Sequence, residues 1–425
     1  MTALSATATG HTTSSGVAAA RPHLFAPWYL AYALLGIVQL GAAPILLPLS
    51  AGHAVNAGLL YSAWSCAGLA APFLGAWGDR HGRARTLLIG GLALAAASLL
   101  AFPALPSPSA RIAAAFVAGL GTMSANIVAN MFIVGSAPER EWEGRIGMLQ
   151  ACMSAGQVAG LLFAGLLSPW PHLAYRAAAA CLLLALPIAW ASAPRPASVA
   201  RREVKAPPAI GGEAATAHRF HRVGLHGLAT LLHLPNGKLR GFLGLWLLSY
   251  TATNAMASML PVAVTRQYGH PAVDASGAYA LGILLSLPLY PKAGAWEARG
   301  SPWIVMRAGL IARTVVLAAI GALGLARGDW VVWTILALFA VTQVLWPLLS
   351  VASNTLSVTL SPADRGESVG LLNAASSLGA ALGGVAGGAI MQRAGYSGLC
   401  AAGFLCVGAA ALLLGRVARP RSPGA

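Results

Sequence analysis

Charged residues are scarce in this sequence, and acidic residues are the scarcest. Asp, Glu, Lys and Arg together make up 9% of the 425 residues, and only 11 residues are acidic. An ordinary soluble domain carries about 25% charged residues, so the composition excludes a soluble globular protein. Apolar residues make up 57% of the chain, which predicts a polytopic membrane protein.

The sequence also lacks the patterns of a metal or redox site. All five cysteines lie in apolar runs without CxxC or CxxH spacing, which is typical of small buried residues. Neither a Ser/His/Asp set nor a phosphate-binding loop is present. We therefore expect no cofactor, no metal and no enzymatic activity.

Apolar runs long enough to cross a bilayer recur along the chain with short breaks. We predict twelve of them, numbered span 1 to span 12. Spans 1 to 6 cover 28–48, 57–77, 86–104, 112–134, 146–167 and 173–191, and spans 7 to 12 cover 242–262, 273–289, 304–326, 331–351, 369–391 and 399–414. The predicted organisation is a disordered tail (1–24), a six-helix bundle (25–192), a basic linker (193–240), a second six-helix bundle (241–416) and a tail (417–425).

Basic residues concentrate on one side of the predicted membrane. Of the 27 Lys and Arg residues, 21 fall on the side of both termini, one lies in span 9, and the rest fall on the other side. Those on the other side are Arg111, Arg176, Arg266, Arg327 and Arg393. Because short cytoplasmic loops retain Lys and Arg, both termini are predicted to be cytoplasmic. The net charge of +16 then reflects topology, and no nucleic-acid partner is expected.

The end of the linker, residues 218–234, mixes Phe, Val and Leu with basic groups. Such a segment favours the inner leaflet, where anionic lipids attract cations. A solvated linker whose charges only mark topology fits the pattern equally well. Membrane lipids are thus an expected partner.

The two halves of the chain repeat each other. At a constant offset of 223, the glycines of span 5 recur in span 11, and so do neighbouring polar positions. The pairs are Gly147/Gly370, Gln150/Asn373, Ser154/Ser377, Gly156/Gly379, Gly160/Gly383 and Gly165/Gly388. A Gly-Ala-Trp triplet at 75–77 also recurs at 294–296. Duplicated six-helix halves are typical of transporters that bind their ligand at mid-membrane between the halves.

Between spans 2 and 3 the chain reads Gly75-Ala-Trp-Gly-Asp79-Arg80-His-Gly82-Arg83-Ala-Arg85. This segment resembles the G-x-x-x-D-R-x-G-R loop of the major facilitator superfamily. With the twelve spans and the repeat, the resemblance covers essentially the whole chain. It implies an all-α integral membrane fold, with twelve transmembrane helices in two pseudo-symmetric six-helix bundles that rock to give alternating access.

The resemblance also implies that this loop is a conformational gate, which latches the halves in the outward-facing state and breaks as they rock inward. Gly75 would let span 2 approach another helix closely, and Gly82 would permit a tight turn. Asp79 can cap a helix N-terminus, where a carboxylate is favoured by about 0.3–1 kcal/mol. Arg80 and Arg83 would supply charge partners and hold the loop inside.

Other family features are only partly present. Span 5 resembles the antiporter motif without its proline, span 4 lacks the family's intramembrane Arg, and the second-half counterpart Glu297-Ala-Arg299-Gly300 keeps part of the gate pattern. Apart from Asp274 at the outer end of span 8, no Asp, Glu or His lies inside a predicted span, so the usual proton carrier near mid-membrane is missing. We therefore predict a cavity of neutral polarity.

In the family, spans 1, 4, 7 and 10 line the cavity, and here each carries an amide near mid-depth. Burying unpaired amides against lipid would cost several kcal/mol apiece, so these groups should face a wet cavity. Helical spacing and cavity position extend the predicted substrate-binding set. The set is Gln39, Asn126, Asn130, Gln157, Tyr250, Asn254, Gln343 and Trp346. Bridging between helices, at about 0.6 kcal/mol per bond, is the alternative role for the amides, and packing is the alternative for Trp346.

Arg313 is the charged residue near the middle of a predicted span, whereas Arg176, Asp274 and Arg307 lie close to span ends. A charge at mid-bilayer costs about 2.5–3.5 kcal/mol on insertion scales, and span 9 is peripheral in the family. We expect its side chain to extend to the inner headgroups, with a functional ion pair or an anionic substrate as the alternative.

Together these patterns predict a monomeric secondary transporter of a bacterial inner membrane that exports a small neutral or amphiphilic molecule. Uptake of a sugar or other small metabolite by the same fold is the first alternative. The second is a non-transporting sensor or scaffold that uses the basic linker to bind a partner.

Overall fold

A computed structural model describes residues 25–138, 141–194, 237–324, 326, 328–360 and 365–418. Throughout these ranges the regular structure is helical. Within these ranges, eight helices are long and apolar enough to cross a membrane, or nine when the bent pair Ala272–Ser286 and Leu289–Arg299 counts as one. The predicted N-terminal tail, the linker from 195 to 236 and residues 419–425 lie outside the described residues.

The first half contains six predicted spans, and the observed helices cover all of them. Spans 1 and 2 are each interrupted by a short irregular turn. The helices are Tyr29–Gly36, a π-helical turn Ile37–Ala42 and Ala43–Leu49 (span 1); Ala54–Cys66, a 3-10 turn Ala67–Ala70 and Ala71–His81 (span 2); Ala84–Ala101 (span 3); Pro108–Ser136 (span 4); Trp142–Leu167 (span 5); and Pro171–Ser192 (span 6).

The second half repeats this layout, which is consistent with twelve passes in total. Its helices are Gly237–Val262 followed by a π-helical turn Ala263–Gln267 (span 7); Ala272–Ser286 and Leu289–Arg299 (span 8); Pro302–Leu323 (span 9); Asp329–Val344 and Trp346–Leu360 (span 10); and the continuous stretch Arg365–Ala418 (spans 11 and 12). That stretch is interrupted at Gly395, where φ is 67° and the backbone is non-helical. The residues between predicted spans 11 and 12 are therefore mostly helical, because one glycine in the left-handed region makes the break.

Spans 8 and 10 are longer than predicted and are broken near their middle. The two parts of span 8 meet at 48° around Leu287 and Pro288, and span 10 breaks at Leu345, two residues before Pro347. Proline lacks the N–H that continues a helix and disfavours the α conformation of the residue before it. Apolar run length could not predict the polar helical ends beyond these breaks.

Packing inside each half follows the internal repeat. A β-carbon on Gly160 of span 5 would lie well under 3.0 Å from the carbonyl oxygen of Ile37 in span 1. A β-carbon on its repeat partner, Gly383 of span 11, would likewise lie 2.5 Å from the carbonyl oxygen of Thr251 in span 7. The equivalent contacts one turn earlier are Gly156 with Ala33 and Gly379 with Leu247. The two halves are therefore pseudo-symmetric in their packing as well as in their sequence.

The halves meet at the face opposite to the two ends of the described chain, which we call the distal face; the other is the terminal face. Span 2 contacts span 11 at Gly58, where an added β-carbon would overlap the carbonyl oxygen of Gly384. Span 5 contacts span 8 where Gly165 faces the Ser276 hydroxyl. The missing side chains let the backbones approach closely, as is usual between membrane helices.

At the terminal face the inner ends of spans 2 and 8 pack mainly within their own halves. The segment Ala71–His81 packs on spans 3 and 4, and the segment Leu289–Arg299 packs on spans 9 and 10. The described structure is therefore closed between the halves at the distal face.

Candidate functional site

Three aromatic side chains form a cluster in the second half. The ring centroids of Trp246, Tyr250 and Trp346 lie 5.6 to 6.2 Å from one another. Trp246 is buried, and its Nε1 donates to the hydroxyl of Ser376 in span 11 at 2.8 Å. Tyr250 and Trp346 remain half-buried, and we call their exposed surface the accessible aromatic face.

Asn254 lies one turn beyond Tyr250 and is bonded across the two halves. The hydroxyl of Tyr61 in span 2 donates to Asn254 Oδ1 at 2.9 Å. The Nδ2 of Asn254 donates to the Tyr250 carbonyl oxygen at 3.0 Å. Tyr250 and Asn254, which are four residues apart, thus share one face of span 7. Tyr250 belongs to the aromatic cluster, and Asn254 makes the contact between the halves.

We predict that Tyr61→Phe shifts the protein away from the distal-closed state. The substitution leaves Asn254 Oδ1 without this donor, at a cost of about 1–3 kcal/mol when water does not replace it. Pulsed EPR between spin labels at positions 53 and 393, which are exposed on opposite halves, should show a larger distal-open population.

Tyr175→Phe is the matched control, because the Tyr175 hydroxyl donates to the Leu46 carbonyl within the first half at 3.1 Å. It should lower the melting temperature without moving the label distances. Unchanged distances in Tyr61→Phe would refute a role for the Tyr61 bond in closure.

Arg313 lies inside the second half, so the expectation that it extends to the headgroups is wrong. Its side chain is 3% exposed. It donates from Nη1 to Thr253 Oγ1 at 3.2 Å and from Nη2 to the Thr342 carbonyl oxygen at 3.0 Å. Its guanidinium carbon lies 5.9 Å from the centre of the Trp346 ring.

Gln39 and Gln157 form a second polar group, within the first half. Gln39 is 3% exposed on the π-helical turn of span 1, with Nε2 3.5 Å from the Met123 sulfur and Oε1 without a partner. Gln157 donates from Nε2 to the Leu40 carbonyl oxygen at 3.4 Å. Both amides bridge helices in this state, and π-turns of this kind are frequent at functional sites.

The other predicted binding residues form no described hydrogen bond or ring contact with these two groups. Asn126 and Gln343 are half-buried, and Gln343 packs at Gly282 of span 8, where an added β-carbon would lie 2.7 Å from the Gln343 β-carbon. The side chain of Asn130 lies outside the described residues. Direct contacts in the described structure therefore join Tyr250 to Asn254 and to Trp346.

The gate segment is mostly helical, because span 2 continues to His81. Gly75 faces Ile127 of span 4, whose Cγ2 would lie 3.3 Å from an added β-carbon. Gly82 makes the turn with φ of 59°. Arg80 is exposed, and the guanidinium of Arg83 lies 5.9 Å from the Trp77 ring centre. The side chain of Asp79 lies outside the described residues, so the gate role stays a prediction.

Two residues of the closure were missed by the sequence analysis. One is Tyr61, which lies on a span that the family resemblance does not place at the cavity. The other is Arg266, at the end of span 7. It donates from Nη1 to the Gly52 carbonyl at 2.9 Å, from Nη2 to the Leu49 carbonyl at 3.3 Å, and also to the Ala51 carbonyl. The last carbonyls of a helix have no intrahelical donor. The end of span 1 was therefore the feature of the sequence that indicated a place for a donor such as Arg266.

A carboxylate also lies in the helix that continues beyond the predicted end of span 8. Glu297, in the part of span 8 beyond its break, accepts a hydrogen bond at Oε2 from the Thr355 hydroxyl of span 10 at 2.9 Å. Its Oε1 is buried and has no partner. This group lies toward the terminal face, on the opposite side of the aromatic cluster from Arg266.

Comparison with known families agrees with this architecture. A sequence profile of the Major Facilitator Superfamily matches residues 28–358. The chain therefore belongs to the major facilitator superfamily and is an integral membrane protein with a transporter fold. A search among curated proteins found no match.

Solved structures of transporters share the fold at low sequence identity. The nucleoside transporter NupG matches with a TM-score of 0.71 and 14% identity, over 92% of this chain and 96% of that one. A D-xylose-proton symporter matches with a TM-score of 0.68 and 15% identity, over 91% and 95%. A bacterial homologue of the iron transporter ferroportin, in its inward-facing state, matches with a TM-score of 0.69 and 15% identity, over 92% and 97%. At these identities the similarity shows the fold alone.

Proposed function

We propose that this protein is a monomeric secondary transporter that exports a small neutral or amphiphilic molecule across a bacterial inner membrane by alternating access. The observation that carries the proposal is the placement of Tyr250, Asn254 and Trp346. These residues join an accessible aromatic face to a hydrogen bond between the two halves. A ligand on that face can therefore act on the contact that must break when the halves rock.

The distal closure supports alternating access. The glycine contacts of span 2 with span 11 and of span 5 with span 8, together with Arg266, hold the described halves together at the distal face. With both termini in the cytoplasm, as the distribution of basic residues predicts, this is an inward-facing arrangement. The terminal-face gate at Gly75, Asp79, Arg80, Gly82 and Arg83 would form in the opposite state.

Transport in proteoliposomes tests the proposal. The purified protein should move at least one compound from a panel of drugs, sugars and metabolites faster than empty vesicles do, and in the direction out of the cytoplasmic side. Failure of the whole panel to move faster than in empty vesicles would refute the function.

Uptake of a small metabolite is the second candidate. It is favoured by the named substrates of two structural relatives, a nucleoside for one and D-xylose for the other. Growth on single carbon sources, with and without the protein, separates uptake from export.

The substitution Asp79→Asn separates a transporter from a sensor or scaffold. In a transporter the loss of the carboxylate removes the proposed latch of the opposite state, so we predict a severe fall in transport, by tenfold or more if the latch is worth about 1.4 kcal/mol. Initial rates in proteoliposomes give the measurement, with Asp329→Asn in the first turn of span 10 as a control. A cellular phenotype unchanged by Asp79→Asn would favour the sensor.

A further inference from the structure

Arg313 carries a buried positive charge that its neighbours satisfy only in part. A guanidinium has five N–H donors. Two of them are used, toward Thr253 and the Thr342 carbonyl. The Nε has no partner although it is buried. Within the described residues, three donors of Arg313 therefore remain unused.

No carboxylate balances this charge in the part of the chain that the structure describes. The ion pairs there join Arg145 to Glu141 and His270 to Asp274. The Thr253 hydroxyl donates its own proton to the Ser249 carbonyl at 2.9 Å, so toward Arg313 it is a neutral acceptor. A buried charge without an opposite charge is costly, and an intramembrane cation of this kind indicates a function.

The unpaired charge lies next to the aromatic cluster. The guanidinium is 5.9 Å from the centre of the Trp346 ring, and that ring is 5.9 Å from the ring of Tyr250. A molecule bound on Trp346 and Tyr250 would therefore lie close to Arg313.

We propose that Arg313 selects the charge of the substrate, which combines a flat aromatic body with a single acidic group such as a carboxylate, sulfonate or phosphate. The aromatic body stacks on Trp346 and Tyr250, and the acidic group accepts the unused N–H donors of Arg313. This inference rests on the proposed transport function and narrows its amphiphilic substrates to organic anions. Guanidinium groups suit the role because their planar fork matches the oxygens of such acids.

Matched ligands of one shape and different charge test the proposal with the full-length protein. The probes are 2-naphthoate, 2-naphthamide and 2-naphthylmethylammonium, together with their one-ring and three-ring equivalents. Calorimetric titration of the purified protein should show the acid binding at least tenfold more tightly than the amide of the same ring size, and the ammonium compound more weakly still. Equal affinities for acid and amide in every ring series, or no binding by any acid, would overturn the inference.

Two variants assign the preference to Arg313 itself. Arg313→Gln should lose the tenfold preference for the acid over the amide, and cooperative thermal melting of the variant would show that it is folded. Arg313→Lys should keep part of the preference, because it keeps the charge without the planar fork. A full acid preference in Arg313→Gln would assign the selectivity elsewhere and refute the proposal.

Transport assays keep this inference separate from the proposed function. Movement of amides and cations without any preference for acids would refute the charge selection and leave the transporter intact. Failure of every compound, in this set and in the broader panel, to move faster than through empty vesicles would refute both.

Discussion

Replacement of Gly58 by alanine is expected to reduce transport by more than tenfold while leaving the protein folded. The β-carbon of the alanine would overlap the carbonyl oxygen of Gly384, so spans 2 and 11 could no longer approach as closely as they do at the distal face. The nearby bond from the Ser62 hydroxyl to the Ala381 carbonyl, 2.6 Å long, would stretch as well. Overpacking of this kind costs about 1–3 kcal/mol, which moves the equilibrium toward the distal-open state by roughly tenfold per 1.4 kcal/mol.

The measurement combines initial transport rates in proteoliposomes with pulsed EPR between labels at positions 53 and 393. Gly90→Ala is the matched control, because a β-carbon at Gly90 meets nothing within 4 Å, and it should transport normally. A Gly58→Ala protein with the label distances and rate of the wild type would show that the span 2 to span 11 contact does not govern closure.

The second large effect is expected at Gly160, and it concerns stability rather than conformation. An alanine there would bear on the Ile37 carbonyl and force apart two helices of the same half. Close backbone approach is a main source of helix association in membranes, where the hydrophobic effect between helices is absent. Gly160→Ala should therefore melt at a clearly lower temperature and give less folded protein, at a cost of about 1–3 kcal/mol.

The repeat supplies a second test of the same idea. Gly383→Ala in span 11 should destabilise the second half in the same manner, because its β-carbon would bear on the Thr251 carbonyl at 2.5 Å. Gly147→Ala is the control on span 5, since it meets nothing within 4 Å and alanine favours a helix. Wild-type melting of both Gly160→Ala and Gly383→Ala would contradict the packing described here.

Much of the fold was predictable because the membrane imposes it. Apolar run length placed the central part of every span, and the offset of 223 predicted that Gly160 and Gly383 would make equivalent contacts, as they do. The irregular features were not predictable in the same way. The break at Gly395 and the bend at Pro288 depend on local backbone geometry, which hydropathy does not report.

The candidate site was predictable where helical spacing alone decides which side chains share a face. Tyr250 and Asn254 are four residues apart and do lie together. Arg313 was misplaced because its orientation depends on Thr253 and on a main-chain carbonyl of span 10. A small hydroxyl and a backbone oxygen leave no signal in a sequence that would pair them with a distant arginine.

The closure at the distal face is made largely of main chain. Glycine surfaces, carbonyl oxygens and the guanidinium of Arg266 form much of it, together with hydroxyl bonds from Tyr61 and Ser62. None of these groups exchanges a proton between about pH 5 and pH 9. A proton-coupled step at this face would therefore act through neighbouring groups, such as the pair of His270 and Asp274 at the start of span 8.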